Sequence, residues 1–516
     1  MPASPLDHVG IENLTGVIRS TTGATIPVIA PFTGEVLHEL PLSGVPDVQE
    51  AYTQAHLAQL AWARAGFARR RVILLRAHDL ILQRSALLQD TVQAETGKTR
   101  GQAFEEVFQA AGVTRFNALA ARGVLRGGRR RSAIPLVITT TVRYRPKGVA
   151  GVITPWNYPL SLAAMDVVPA LAAGCGVVQK ADNQGALSIL TLRQAFIDAG
   201  VPEHLWAVVA GDGAEIGGAV TEQANYICFT GATATGKAVA AQAAGNLTGV
   251  SLELGGKNPL IVLDDADPAR AAAEAATACF TAMGQLCVSI ERIFVQRGVA
   301  DAFLREFVAV ARSLKLGADY DYSTDVGSLT SQAQLDRVSA HGADAVARGA
   351  TVAAGGRARP DLGPFFYEPT VLTGVTAEME WFASETFGPV VTVTVIDSEQ
   401  EAILAANDSE YGLNASVFSG SVRRALRVAG AIEAGSVNIN EGFRGSFSSV
   451  AAPMGGLKQS GLGRRNGPEG LLRFVDAVTI ARATGLVQLP RTGRDFERLA
   501  RPMLLLNAVL KGIRRS

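Results

Sequence analysis

Two residues of this chain have the chemical type and the surroundings for covalent chemistry. Cys287 lies in Met283-Gly284-Gln285-Leu286-Cys287-Val288-Ser289, and Glu253 lies in Leu252-Glu253-Leu254-Gly255-Gly256-Lys257. A thiol can attack a carbonyl carbon and hold the acyl group as a thioester, and a carboxylate can then activate the water that releases it. Either residue alone carries little weight, because a single cysteine in an apolar run is most often a small core residue. A free thiol titrates near ~8.5, so Cys287 needs help to be a thiolate at neutral pH. A carboxyl near ~4.3 is a poor base at pH 7 unless burial raises it, and an apolar strand ending at Glu253 suits such burial.

Holding such a pair in place takes a scaffold, and the chain reads as two rounds of strand–helix alternation. The first 125 residues are mainly helical, with helices predicted over Pro46–Ala65 and Arg69–Thr96; Pro46 suits a first helical position and Gly97 a C-terminal cap. The β-branched run Ile134–Tyr144 predicts a strand or hairpin. Strands near 149–154, 176–180, 206–210, 226–230 and 250–254 then alternate with helices near 159–173, 186–199, 214–221 and 234–244. Gly174, Gly200 and Gly245 stand where helix caps belong. A second block has strands near 259–263, 290–296, 390–396, 414–418 and 435–439. Its helices fall near 267–282, 299–312, 329–348, 399–407 and 421–433. This is the pattern of βα units that builds parallel sheets, with a boundary near Gly255-Gly256.

Composition narrows the class. At 516 residues the chain is too long for one ordinary domain. Its 48 basic and 47 acidic residues nearly cancel, so no overall field favours nucleic acid. The cysteines at 175, 228, 279 and 287 show neither CxxC spacing nor a disulfide framework, and the scattered histidines offer no metal ligand set. Met1 to Gly10 has no basic-then-apolar signal, and no apolar run reaches the ~18 residues of a membrane span. A cytoplasmic protein with reduced thiols and no metal is expected.

A nucleotide site is suggested by Phe229-Thr230-Gly231-Ala232-Thr233-Ala234-Thr235-Gly236-Lys237, between an apolar strand and an Ala-rich helix. The free N–H groups of that helix start suit a pyrophosphate. The run imitates the triphosphate loop GxxxxGK[ST], but Ala238 stands where the magnesium-binding hydroxyl belongs. Gly211-Asp212-Gly213-Ala214-Glu215-Ile216-Gly217 approaches GxGxxG but is one residue too long, and a Tyr-x-x-x-Lys hydride-transfer pair is absent.

Phe229-Thr230-Gly231, Glu385-Thr386-Phe387-Gly388-Pro389 and Thr154-Pro155-Trp156-Asn157-Tyr158-Pro159 join the Cys287 and Glu253 runs to make five motifs. In order and spacing the chain resembles the NAD(P)-dependent aldehyde dehydrogenase superfamily from about residue 30 to about residue 485, most closely the bacterial succinate-semialdehyde dehydrogenases. The resemblance implies an α/β, aldehyde-dehydrogenase-like fold: two parallel-sheet, Rossmann-like βα domains plus a small oligomerisation β arm. Residues 1–130 and 148–255 would form the dinucleotide-binding domain and 256–450 the catalytic domain with the nucleophilic cysteine. Residues 131–147 and 470–490 would be oligomerisation strands, pairing across subunits of a homodimer or homotetramer. The implied reaction oxidises an aldehyde, succinate semialdehyde first among candidates, to its acid through a thiohemiacetal and a thioester on Cys287. Uncharged aliphatic or aromatic aldehydes are the alternative substrates. Acyl transfer to coenzyme A is the alternative outcome, and the retained Glu253 favours hydrolysis.

Matched motifs also imply residue roles. Asn157 would donate its side-chain amide to the oxyanion, beside the Cys287 backbone N–H. Trp156, Asn157, Lys180, Asn183, Gly231, Ala232, Thr233, Leu254, Glu385 and Phe387 would line NADP or NAD, with Lys180 at the adenosine ribose and Glu385 at the nicotinamide ribose. Asn183 stands where NAD-preferring relatives often carry a glutamate that repels a 2′-phosphate, so NADP or dual use is expected; Asp182 beside it could act either way. The usual serine is replaced by Ala232, and the usual asparagine five residues before the nucleophile by Ala282. Met165 and Asp166 occupy the place where many succinate-semialdehyde dehydrogenases carry a carboxylate-binding arginine. Arg444, in a Gly/Ser-rich loop, is a substitute anchor or simply an exposed loop residue. The segment 491–516 is a basic amphipathic tail, with Arg494, Arg498, Arg501, Lys511, Arg514 and Arg515 flanking the apolar run Met503–Leu510. It would pack on protein or lie weakly on an anionic membrane surface.

Overall fold

The computed structural model describes residue 6, residues 10–135 and residues 137–512. Most of Met1–Gly10, Leu136, Arg514 and Arg515 therefore lie outside the described residues.

Two largely parallel sheets dominate. The first has six strands in the order Gly461–Leu462, Gly249–Glu253, Tyr226–Thr230, Val149–Ile153, Gly176–Lys180 and Trp206–Val209, with only the first of these antiparallel to its neighbour. Chain order reverses direction at Val149–Ile153, which sits between strands on either side that follow it in sequence. In open α/β sheets, ligands bind beyond the carboxyl ends of the strands at such a switch point. The second sheet has seven strands, ordered Thr351–Ala354, Thr370–Thr373, Val390–Ile396, Ile290–Gln296, Asn258–Val262, Asn414–Phe418 and Ser436–Ile439. The chain crosses from one sheet to the other between Glu253 and Asn258.

The helix Pro159–Ala173 is buried at every position. A helix that is apolar all round belongs inside a core. Pro159 opens it, and Gly174 closes it in the left-handed region at φ 99°. Its one charged residue, Asp166, is wholly buried and meets two arginines described below.

Several sequence expectations need correction. The helix expected over 69–96 is two, Gly66–Gln83 and Ser85–Thr96, broken at Arg84, and a third long helix, Arg100–Leu125, follows. Gly245 is not a cap: it belongs to the helix Thr233–Gly245, and Asn246 ends it. The strand expected over 134–144 runs Ile138–Pro146. It pairs antiparallel with Val475–Ala483 of the same chain, Pro146 opposite Val475 and Ile138 opposite Ala483, so these two segments meet within one subunit rather than across two. The hairpin of Thr25–Ile29 and Val36–Pro41 and the strands Thr351–Ala354 and Thr370–Thr373 were not anticipated.

The most consequential difference precedes the thiol. The helix expected over 267–282 ends at Phe280, and Ala282, Met283 and Gly284 then take φ of 50°, 58° and 66°. Left-handed backbone costs an alanine or methionine roughly 1 kcal/mol per residue, so packing must hold this turn. Gln285 is the staple: its Nε2 donates to the Ala282 carbonyl at 3.1 Å, and its Oε1 accepts from the Thr330 N–H at 3.0 Å. The strain reverses the chain sharply and presents Cys287 to the switch-point cleft.

Candidate active site

Cys287 follows the left-handed turn on a loop pinned through its carbonyls. Asn258 Nδ2 donates to the carbonyls of Cys287 at 2.8 Å and Ser289 at 2.7 Å, and Asn414 Nδ2 donates to that of Val288 at 2.9 Å. The two glycines after Glu253 let this loop come close. A Cβ on Gly256 would stand 2.6 Å from the Cys287 carbonyl oxygen, and one on Gly255 would stand 2.6 Å from Glu385 Oε2. Burial pushes the Cys287 thiol up to about 12, with the charges of Glu253 and Glu385 adding to the rise. The resting thiol is therefore neutral.

Glu253 is the last residue of its strand and 2% exposed. Neither carboxylate oxygen has a hydrogen-bond partner among the described residues. Burial pushes its carboxyl up to about 7; the Asp166 charge adds to this, and Arg465, Arg473 and Arg464 oppose it. A buried, unpartnered carboxyl near neutrality is poised to gain or lose a proton at working pH. Asn157, just beyond the strand Val149–Ile153, is 4% exposed and donates from Nδ2 to the Gln285 carbonyl at 2.9 Å. An amide nitrogen carries two N–H groups, so one fixes Asn157 to the cysteine loop and the other is left to donate.

All three residues line one cavity of about 520 Å³, together with Ile153, Thr154, Lys180, Thr230 and Gly231 at the carboxyl ends of the first sheet. Of the residues expected at the cofactor, Trp156, Asn157, Lys180, Gly231, Ala232, Leu254, Glu385 and Phe387 line it, whereas Thr233 and Asn183 do not. Asn183 instead accepts from the Gly211 N–H at 3.0 Å, and its neighbour Asp182 faces the cavity beside Lys180. Lys180 and Asp182 are therefore the charged side chains at this end of the cavity. Burial lowers Lys180 against the upward pull of Asp182 and Asp212.

The sequence reading also missed the floor of this end. Gly213 and Gly217, from the imperfect glycine motif, and the adjoining Gly218 line the cavity along the helix Gly213–Gln223. Their spacing was the signal, and one extra residue concealed it. At the other end the rings of Trp156 and Phe387 meet edge to face at 5.8 Å. Glu385 accepts from the Gly256 N–H at 2.8 Å, and burial with the nearby Glu291 charge pushes its carboxyl up to about 7. Behind it, Glu291 accepts from the Phe387 N–H at 2.9 Å and from Lys257 Nζ at 2.5 Å, and Lys257 lies 3.4 Å over the Trp381 ring. A cavity with a cationic group at one end, open glycines along it and a carboxylate beside the thiol fits a dinucleotide.

An aromatic cluster lies by the thiol. Tyr158 stacks edge-on with Phe447 at 6.2 Å and Phe447 with Phe443 at 6.4 Å; the Tyr158 hydroxyl is buried without a partner among the described residues. Glu105, Arg444 and Cys287 all lie within electrostatic reach of that hydroxyl. Arg444 Nη2 is 2.7 Å from Glu105 Oε1 in a half-exposed pair. Met165 is wholly buried and forms part of the core.

Known proteins resemble the chain over most of its length. The model of the aldehyde dehydrogenase family matches residues 18–480. A protein of Mycolicibacterium smegmatis, provisionally named succinate-semialdehyde dehydrogenase [NADP(+)], is 46% identical over 482 residues, 93% of either chain. The mitochondrial succinate-semialdehyde dehydrogenase of Oryza sativa subsp. japonica is 37% identical over 88% of this chain and 85% of its own. The crystal structure of betaine aldehyde dehydrogenase from Staphylococcus aureus with NAD+ superposes at a TM-score of 0.87 with 32% identity, covering 94% of this chain and 99% of that one. With a family match over most of its length and this similarity to solved members, the chain belongs to the aldehyde dehydrogenase family.

Proposed function

We propose that this chain oxidises succinate semialdehyde to succinate, with NADP+ or NAD+ taking the hydride. The observation that carries the reading is the convergence of Cys287, the unpartnered Glu253 and Asn157 on one cavity at a sheet switch point. Similarity to the Mycolicibacterium and rice proteins supports the substrate. Cys287 adds through sulfur to the aldehyde carbon, and its proton passes to Glu253 directly or through water. The free Asn157 N–H and the Cys287 backbone N–H hold the oxyanion, each such donor contributing ~3 kcal/mol of transition-state stabilisation. The bound nicotinamide supplies the hydride acceptor that turns the thiohemiacetal into a thioester. Glu253 releases the thiol proton to solvent and then takes a proton from water as the water oxygen adds to the acyl carbon; the C–S bond breaks with its electron pair returning to sulfur, which takes the proton back from Glu253. Glu253 facing this cavity favours hydrolysis over transfer to coenzyme A.

Residues 10–130 and 148–255 serve in this reading as the dinucleotide-binding domain and 256–450 as the catalytic domain. The edge strand Val475–Ala483 offers an unpaired side to a second copy, consistent with a dimer or tetramer. The helix Gly493–Gly512 carries Arg494, Arg498, Arg501 and Lys511 alongside exposed Leu504, Leu505 and Val509, and is the segment to touch an anionic surface. No helix among the described residues is long and apolar enough to cross a membrane, and all four cysteines are free; we place the protein in the cytoplasm.

Arg444 is the proposed anchor for the distal carboxylate, exchanging Glu105 for substrate. A second reading rests on that same pair: an arginine already neutralised beside Tyr158, Phe443 and Phe447 suits uncharged aldehydes. Cofactor reduction over an aldehyde panel separates the two. Arg444→Ala is expected to lower kcat/KM for succinate semialdehyde by about 10- to 100-fold, the worth of a charge-assisted contact, and to spare uncharged aldehydes. Equal effects on both would support the second reading. Turnover by Cys287→Ala comparable to the parent enzyme would remove both.

A further inference from the structure

Glu253 sits against a buried charge cluster that the reaction as written does not use. In the sheet it stands opposite Gly461 on one side and Thr230 on the other. Four residues past Gly461 comes Arg465, which is 1% exposed. Its Nε and Nη2 donate to the two oxygens of Asp166, at 3.0 and 2.5 Å, and Nη2 also donates to the Thr230 hydroxyl. Asp166 accepts a second guanidinium, that of Arg473, at 2.7 Å, and Arg473 Nη1 donates to the Ser251 hydroxyl at 2.8 Å. Two guanidiniums share one carboxylate, so the cluster holds an excess positive charge. Buried charge without a counter-charge is costly, and the ionised form of Glu253 is the anion at hand.

We propose that Arg465 is a positioning residue for Glu253: a fixed cation, clamped by Asp166 and Thr230, that favours the ionised base yet is held from closing on it as a salt bridge. The inference rests on the reading of Glu253 as the base. Two observations beside the geometry agree with it. Glu253 has no hydrogen-bond partner among the described residues although Arg465 is close enough for each to shift the other's proton affinity. The charged groups that act on Glu253 also have opposite signs of effect, with Arg465, Arg473 and Arg464 favouring its ionised form and Asp166 opposing it; Cys287 faces it across the cleft. A free Arg465 would make a direct ion pair with Glu253 and turn the base into a structural anion. Asp166 opposes this by holding the Nε–Nη2 edge of the guanidinium, with Thr230 sharing Nη2.

The test is the pH profile of thioester hydrolysis, read as the steady rate after the burst of reduced cofactor. Arg465→Met is expected to move the inflection to higher pH by about one unit, which leaves about fivefold less hydrolysis near neutrality and full recovery at alkaline pH. Arg465→Lys, which keeps the cation, is expected to retain most of the parent inflection. Thr230→Val keeps every charge and nearly every atom but releases one tie on Arg465; its inflection is expected to move to lower pH, as is that of Asp166→Asn. Thr230→Val decides the matter should the Arg465 variant not fold. A uniform loss at every pH with an unmoved inflection in Arg465→Met or Thr230→Val would overturn the proposal. Glu253→Gln serves as the separate control: normal hydrolysis after the burst in that variant would sink the base reading itself, whatever Arg465 does.

Discussion

Replacing Glu253 with glutamine is expected to make the resting thiol more reactive, not less. With the thiol at about 12, only about one molecule in 10⁵ carries a thiolate at pH 7. Moving its proton to a carboxyl at about 7 is then uphill by about 7 kcal/mol in the free enzyme. Burial is the larger cause of the rise and the Glu253 charge the next. Glutamine removes the second cause and leaves the first, which lowers the thiol by about one unit. The assay is pseudo-first-order alkylation of Cys287 by iodoacetamide in enzyme free of cofactor. Above pH 8, where Glu253 is ionised, Glu253→Gln should react about tenfold faster than the parent; below pH 6, where Glu253 is protonated, the two should converge. Added oxidised cofactor should accelerate both, because a cationic ring favours the thiolate. Slower alkylation of the glutamine variant at every pH would refute the like-charge argument and make Glu253 the direct activator of the free thiol.

The same burial has a stability signature. Glu253 is raised from an ordinary 4.5 to about 7, so the folded chain holds this proton more tightly than the unfolded chain. The resulting penalty is absent below about pH 4.5, grows as pH rises from there to about 7 and is complete above it; Glu253→Gln should therefore be more stable than the parent at pH 8 by on the order of 3 kcal/mol, and nearly equal to it at pH 4.5, in urea unfolding. Ala282→Gly relieves left-handed backbone at φ 50° and should add about 0.5–1 kcal/mol, read by the same method. Gly256→Ala forces its Cβ to 2.6 Å from the Cys287 carbonyl and should abolish turnover while leaving circular dichroism unchanged. Lys180→Met should raise KM for NADP by about tenfold or more and for NAD far less, since only the former carries the extra phosphate.

Most of the βα scaffold was legible because its strands are short apolar runs and several of its helices are closed by glycine caps. Tyr226–Thr230 and Gly176–Lys180 fall where the sequence places them, and Gly174 and Gly200 adopt the left-handed conformation that caps require. The misses have physical causes. Nothing in Ala282-Met283 announces left-handed backbone, which is imposed by Gln285, Thr330 and the neighbouring fold. Asn183 is next to the cavity in sequence but turns to Gly211, a contact between residues 28 positions apart that no local pattern reveals. Asp166 read as a departure from a motif, because its partners Arg465 and Arg473 lie about 300 residues further along the chain.

The account stands on acyl transfer to Cys287, and that bond can be weighed. Glu253→Gln enzyme is mixed with succinate semialdehyde and oxidised cofactor, quenched in acid, digested and examined by mass spectrometry. The peptide containing Cys287 should carry one succinyl group in proportion to the cofactor reduced, and the parent enzyme should carry far less at steady state. Cofactor reduction without any adduct on that peptide, in either protein, would contradict the central claim.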